Sequence, residues 1–299
     1  MAPLAFTWSE LAQQIVSGLA TGSIYASLAL ALVIVFRSSG VINFAQGELA
    51  TLSAYVALTL DHHLPFWTAV VLAVAASFVG GVAIERIVIR PVERAPTLTI
   101  VMVTLGGLIL VNGIVTWIWG GQTRAFPSVF STRPVHVGSV AFSIQDLGFI
   151  GLSIGVVALL YAFFQLTRVG LGLRAAALEP DASRLLGVRV GWMLALGWGI
   201  AAALGALSGI MTAPTTQLDP NMMRGVLLYA FAAAVLGGLD SPAGAIVGGL
   251  TLGVVLNLLG RYVSLFGGEM RLAGGLAVIL VVLLIRPTGL FGRVSARRV

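Results

Sequence analysis

The chain lacks two residue types altogether and is poor in a third class. Its 299 residues include no cysteine. Disulfides, thiolate metal sites and cysteine nucleophiles are therefore excluded. There is no lysine either, and all 17 basic residues are arginine. A Walker A loop needs a lysine on the nucleotide phosphates, and a Schiff-base enzyme needs one as its nucleophile, so both chemistries are closed to this chain. Only 9% of residues are charged while 58% are hydrophobic, with a mean hydropathy of +1.02. Soluble domains carry roughly 25% charged residues. A surface so poor in charge belongs in lipid, which excludes a soluble enzyme, a nucleic-acid-binding domain and a disordered chain.

Apolar stretches between charges and Pro/Gly breaks fall at 11–36, 47–60, 67–85, 98–119, 147–166, 191–213, 225–236, 242–260 and 271–285. A helical span needs about 20 apolar residues, so 47–60 and 225–236 are short for a full crossing. They read as half-helices or broken helices, which transporters place beside their pathway. The expectation is an all-α, polytopic protein with about eight to ten spans in one transmembrane domain, 1–299. The first basic residue is Arg37, so the N-terminus lacks the charged start of a signal peptide and is expected to stay in the mature protein.

Arginine placement sets the direction. Arg37, the group Arg86, Arg90 and Arg94, the group Arg168, Arg174, Arg184 and Arg189, and the closing Arg286, Arg293, Arg297 and Arg298 put twelve of the seventeen on one side. By the positive-inside rule that side is cytoplasmic. The C-terminus is then cytoplasmic and, with nine spans, the N-terminus lies outside; a re-entrant segment near 37–60 would reverse the latter. The basic balance is topological, the bilayer is the expected surrounding, and no nucleic acid is expected as partner.

The longest external loop is 120–146. Val135, Val137, Val140, Phe142 and Ile144 recur near period two around Gly138-Ser139, which reads as a small β-hairpin, either a surface flap or a lip for an external partner. Tyr25-Ala26 before the run Gly40–Glu48 is weakly echoed by Tyr229-Ala230 before Gly237–Gly244, a possible internal repeat. Gly18/Gly22 and Gly244/Gly248 have the spacing that lets helices approach closely.

No reactive constellation suits an enzyme. The histidines His62, His63 and His136 lie in expected external loops, and the eleven carboxylates fall mostly at span ends, where interfacial solvation accounts for them. No buried ion pair or proton relay is visible, which counts against a proton- or sodium-coupled pump. Uncharged polar groups inside spans are Asn112, Asn257, Thr104 and Ser23, with Asn43 and Gln46 near a span end. Each amide either hydrogen-bonds a neighbouring helix or lines a wet path.

The cytoplasmic stretch 167–190 is the most informative polar piece. Pro180 suits a first helical turn, and Asp181 stands at the positive end of its dipole. Ala182, Leu185 and Leu186 make a short apolar stripe closed by Gly187, fit for the membrane surface or for a cytosolic partner.

Several of these residues together resemble a family: inner-membrane permeases of ABC importers for branched-chain amino acids, of the LivH type. Gly18, Gly22 and Ser23-Ile24-Tyr25-Ala26 are similar to its opening, and Asn43-Phe44-Ala45-Gln46-Gly47-Glu48 to its Asn-Phe-Ala-x-Gly-Glu signature. Glu85-Arg86, Arg90-Pro91 and Thr104-Leu105-Gly106 follow in order. Gly170, Arg174, Ala175, Ala182 and Gly187 resemble its coupling segment, and Leu236 to Gly249 and Arg286 to Gly292 its closing motifs. The resemblance implies a BtuC-like, type II importer permease working by alternating access in a bacterial inner membrane. It implies a second homologous permease, two cytosolic ATPases that bind the ATP, a soluble external binding protein, and no cofactor on this chain. Residues 174–187 are then expected to form the helix through which the ATPases push. Asn43, Gln46, Thr104, Asn112 and Asn257 are the candidates for the path. Branched-chain amino acids are the expected substrates, with urea, amides and other small acids as alternatives. A stand-alone secondary transporter is the rival from another class, and a membrane-embedded enzyme a weaker one.

Overall fold

The computed structural model describes residues 8–137, 140–263, 270–286 and 289–292. Gly138-Ser139, Glu269, Pro287-Thr288, Arg293, Arg297 and Arg298 lie outside the described residues. Among the described residues the regular structure is helical apart from one hairpin. Its helices are α1 Trp8–Ser39, α2 Gln46–Asp61, α3 Phe66–Ile84, α4 Thr97–Trp119, α5 Ile144–Leu166, α6 Arg168–Leu178, α7 Pro180–Leu185, α8 Val190–Thr216, α9 Met223–Gly237, α10 Pro242–Tyr262 and α11 Arg271–Ile285. Every one of the nine expected apolar segments coincides with a helix. Among the described residues six helices are long and apolar enough to cross a membrane: α1, α3 with its continuation to Val92, α4, α5, α8 and α10. The segments expected to be short are short, with 16 residues in α2 and 15 in α9.

The expected hairpin is present. Strands β1 Pro134–Val137 and β2 Val140–Ser143 pair antiparallel, with Val135 opposite Phe142 and Val137 opposite Val140. Ser143 and Asp146 then cap the start of α5 reciprocally, Ser143 N–H donating to Asp146 Oδ2 and Asp146 N–H to Ser143 Oγ.

The helices fall into two compact units. One comprises Met1–Ala29, Ser128–Ser153 and Gly225–Val299; the other comprises Leu30–Pro127 and Ile154–Arg224. In the first, the small residues of α1 and α10 let two main chains meet. A Cβ on Gly18 would come within 2.6 Å of Val254 Cα, and one on Gly249 would overlap the Ala26 backbone. Gly237, Gly244 and Gly248 bring α9 against α10 in the same way, and Tyr25 lies over Tyr229 with ring centroids 5.1 Å apart. Lipid offers no hydrophobic drive for helices to associate, so close van der Waals packing supplies it.

In the second unit α2 is wedged among α3, α4 and α8. Ala50, Ala54 and Tyr55 are fully buried, and Gly209 of α8 lies against the Ala50 carbonyl. Gly81 of α3 meets Trp198 and Ala202 of α8. The C-terminal end of α3 unwinds through a π-turn, Glu85–Ile89, and a 3₁₀ turn, Arg90–Val92. There Arg86 stacks over the Trp192 ring at 3.9 Å. Glu85 is only 2% exposed, so interfacial solvation does not account for it.

These contacts give a packing test. Gly249→Leu should destabilise the detergent-solubilised protein by roughly 1–3 kcal/mol, the cost of overpacking. Gly113→Ala, where an added Cβ meets nothing within 4 Å, should leave it unchanged or slightly stabilised. Thermal unfolding of the two variants side by side checks this, and equal melting would remove α1–α10 contact from the account.

A polar cluster at the start of two half-helices

Between α1 and α2 the chain leaves the helix at Gly40, whose φ of +71° suits glycine. Residues 40–45 return it to helix. An unwound segment among apolar helices needs internal hydrogen bonds, because lipid supplies none. Asn43 and Gln46 provide them. Asn43 Oδ1 accepts from Ala45 N–H at 3.1 Å, Asn43 Nδ2 donates to Gln46 Oε1 at 3.1 Å, and Gln46 Nε2 donates to the Ala201 carbonyl of α8 at 2.8 Å. Both side chains are buried.

The depth of this break follows from its neighbours. Gly107, ten residues into α4, faces Ala45 with Cβ positions 3.5 Å apart. At the far end of α2, Thr59 accepts from Trp119 Nε1 at the last residue of α4. So α2 begins about halfway along α4 and ends level with its end. It is a half-helix.

Its first turn carries Glu48, 3% exposed. Glu48 Oε2 accepts from Asn112 Nδ2 at 3.1 Å, and Oε1 lies 3.9 Å from Arg224 Nε at the start of α9. Asn112 Nδ2 also faces the Pro220 carbonyl at 2.9 Å and Asn221 Oδ1 at 3.2 Å. Asn221 N–H donates to Asp219 Oδ1 at 2.7 Å, which tightens the turn that starts α9. That turn is anchored behind by a bridge between Leu218 and Arg124. One amide thus ties α2, α4 and the entry to α9.

The expected path residues separate into four groups. Asn112 joins this cluster, while Asn43 and Gln46 secure the break beneath it. Thr104 donates to Val101 on its own helix at 2.9 Å. Asn257 belongs to the other unit and faces the Gln14 carbonyl of α1 at 3.4 Å. Two expectations are corrected. Where no ion pair was expected, a buried carboxylate stands 3.9 Å from an exposed guanidinium, and Glu48, placed at a span end and explained by solvation, is buried. Its proximity to a polar signature was the only signal in the sequence; the partner, Arg224, lies 176 positions away.

The expectation for 167–190 is also corrected. Residues 174–187 are not one helix but parts of two, α6 and α7, separated at Glu179, whose backbone leaves the helical region. Pro180 occupies the first turn of α7 as expected, since its ring cannot continue α6. Thr167 Oγ1 caps α6 by accepting from Gly170 N–H at 2.9 Å. Gly170 is buried, and a Cβ there would strike the backbone of Phe163 and Phe164. Arg174 Nη1 donates to Gln165 Oε1 at 2.9 Å, and Ala175 is half-buried. These three residues build the α5–α6 corner. Ala182, Leu185, Leu186 and Gly187 point outward, with Leu185 90% and Leu186 84% exposed. Leu178, 69% exposed, joins that apolar face and was not foreseen.

Residues 14–285 match the family described as branched-chain amino acid transport system, permease component. The chain belongs to this family. It is 32% identical to the high-affinity branched-chain amino acid transport system permease protein LivH of Escherichia coli K12, with 96% of this chain and 97% of that protein covered. It is 30% identical, over 96% and 97%, to BraD of Pseudomonas aeruginosa, a protein of the same description. Among solved structures it resembles PsaBC from Streptococcus pneumoniae in complex with Fab, with a TM-score of 0.50 and 13% identity over 91% of each chain. That likeness concerns the fold alone, which is all-helical as expected. The protein is a multi-span membrane permease, and ATP hydrolysis lies on separate ATPase subunits.

Asn112→Leu removes the donor shared by Glu48 and the 219–221 turn. Hydrogen bonds to charged groups contribute about 1.5–3 kcal/mol each, so transport should fall about tenfold or more with assembly retained. Asn257→Leu should instead reduce the melting temperature of the assembled protein. Uptake and melting measured on both variants check the division; a normal transport rate in Asn112→Leu would make the cluster mere packing.

Proposed function

We propose that the chain is the membrane path of a binding-protein-dependent ABC importer for branched-chain amino acids in a bacterial inner membrane. It acts over residues 1–299 as one permease domain, beside a second homologous permease, two cytosolic ATPases and a soluble external binding protein. The observation that carries the reading is a half-helix, α2, and a second short helix, α9, whose starts bring the buried Glu48 and the exposed Arg224 together beside Asn112. Discontinuous helices of this kind mark substrate sites in transporters. Membership of a branched-chain amino acid permease family supplies the substrate class.

Alternating access then needs a cytoplasmic surface for the ATPases and an external one for the binding protein. The α6–α7 pair supports the first. Its buried corner transmits force to α5, while exposed Leu178, Leu185 and Leu186 offer an apolar contact. The hairpin supports the second, because β1–β2 projects from a loop whose base is anchored. Arg124 pairs with Leu218, and Gln145 Oε1 accepts from Ser128 Oγ at 3.1 Å.

Leu185→Asp and Leu186→Asp should each leave insertion intact but abolish ATPase co-purification or uncouple hydrolysis from uptake, since an unpaired charge buried in a contact costs several kcal/mol. Full coupled transport by both would remove α7 as the contact. Replacing 134–143 by a short polar turn should weaken binding-protein-stimulated hydrolysis more than basal hydrolysis; equal loss would assign the hairpin to stability. The chain has no cysteine, so single cysteines report sidedness directly. A cysteine at 185 should react only from the cytoplasm and one at 132 only from outside, and reversed labelling would invert the topology. Uptake of labelled leucine by proteoliposomes of the whole complex, competed by isoleucine and valine but not by urea or acetamide, tests the substrate class.

A further inference from the structure

The pairing of Glu48 and Arg224 is incomplete in a particular way. A carboxylate inside the membrane is costly unless donors and a cation compensate it. One Glu48 oxygen has its donor in Asn112, but the other faces Arg224 at 3.9 Å, too far for a hydrogen bond. The two charges oppose each other without closing. Their exposure differs as well: the Glu48 side chain is 4% exposed and that of Arg224 is 59%. The anion is fixed at the back of the cluster, and the cation stands at its open side.

The geometry points to a bracket for a zwitterion, in which Glu48 receives the ammonium and Arg224 the carboxylate of a free amino acid. Asn112 is a positioning residue here: it holds Glu48 in register with the 219–221 turn and need not touch the substrate. The inference deepens the permease function proposed above and rests on it. An α-amino acid carries both charges on a single carbon and keeps both near neutral pH. To cross lipid it must exchange water for protein partners at both groups together, and leaving either one unpaired is expensive. A fixed negative and positive pair, already separated and open on one side, meets that need in one place. A neutral amide or urea has no charges to place there. Because the pair is open and can relax back on itself, occupancy is weak, as a path that must release its cargo requires.

The test uses the assembled complex in nanodiscs without binding protein, observed by saturation-transfer NMR with three probes: L-leucine, isoamylamine, which lacks the carboxylate, and 4-methylpentanoate, which lacks the ammonium. In the wild-type complex leucine should receive the strongest transfer. E48Q should lose isoamylamine and keep 4-methylpentanoate, R224Q should do the reverse, and each should weaken leucine about tenfold, the loss of one charge-assisted contact. A purely structural role cannot produce that crossover. Should E48Q fail to co-purify with its partners, E48D withdraws the carboxylate by one methylene and should show the same loss of isoamylamine. No transfer from any probe to the wild type, or equal changes for all three probes in both variants, overturns the bracket. Proteoliposome uptake with the binding protein separates the two readings. Leucine uptake without the crossover overturns the bracket alone. A crossover in a complex that carries a different amino acid overturns only the branched-chain assignment. Uptake confined to urea or amides overturns both.

Discussion

Lipid supplies no hydrogen bonds, so any helix broken within the apolar interior must find its partners in protein. The break at residues 40–45 is governed by this constraint, and much of the second unit follows from it. Asn43 and Gln46 close the loop on itself and on Ala201, which sets where α2 begins and how it lies on α8. Only a helix started at that depth carries Glu48 to the level of Asn112. The polar cluster is therefore a consequence of the break, and a stable continuous helix at this point would leave no place for it.

Close packing does the remaining structural work. Water drives soluble cores together, whereas here glycine and alanine let helix backbones touch. Gly209 lies on the Ala50 carbonyl, Gly81 on α8, and Gly249 and Gly253 on α1. Such contacts are rigid because neither partner has a side chain that can yield. By contrast α4 and α5 are little buried, with 17% of the residues in their apolar windows covered. Those faces belong to lipid or to neighbouring subunits.

The corner between α5 and α6 divides labour between adjacent residues. Gly170 and Thr167 allow α6 to turn back tightly on α5, and Arg174 ties it to Gln165. Beyond Glu179, α7 presents leucines to the exterior.

The span positions, the two short helices, the hairpin and the start of α7 at Pro180 were all legible in the sequence. Each depends on local rules: apolar run length, period-two alternation, and the absent N–H of proline. Family membership was legible too, through ordered short motifs. What tertiary structure decided is pairing across distance. No spacing shows that Glu48 meets Arg224 and Asn112, because these residues lie on three separate elements and the sequence places Glu48 near a span end. The same holds for α6, which packs against α8 and carries too few apolar residues in a row to stand out. Local propensity determined which elements exist; the contacts that pack them determined which polar groups are buried together, and burial with a partner is what turns an ordinary glutamate into a candidate site.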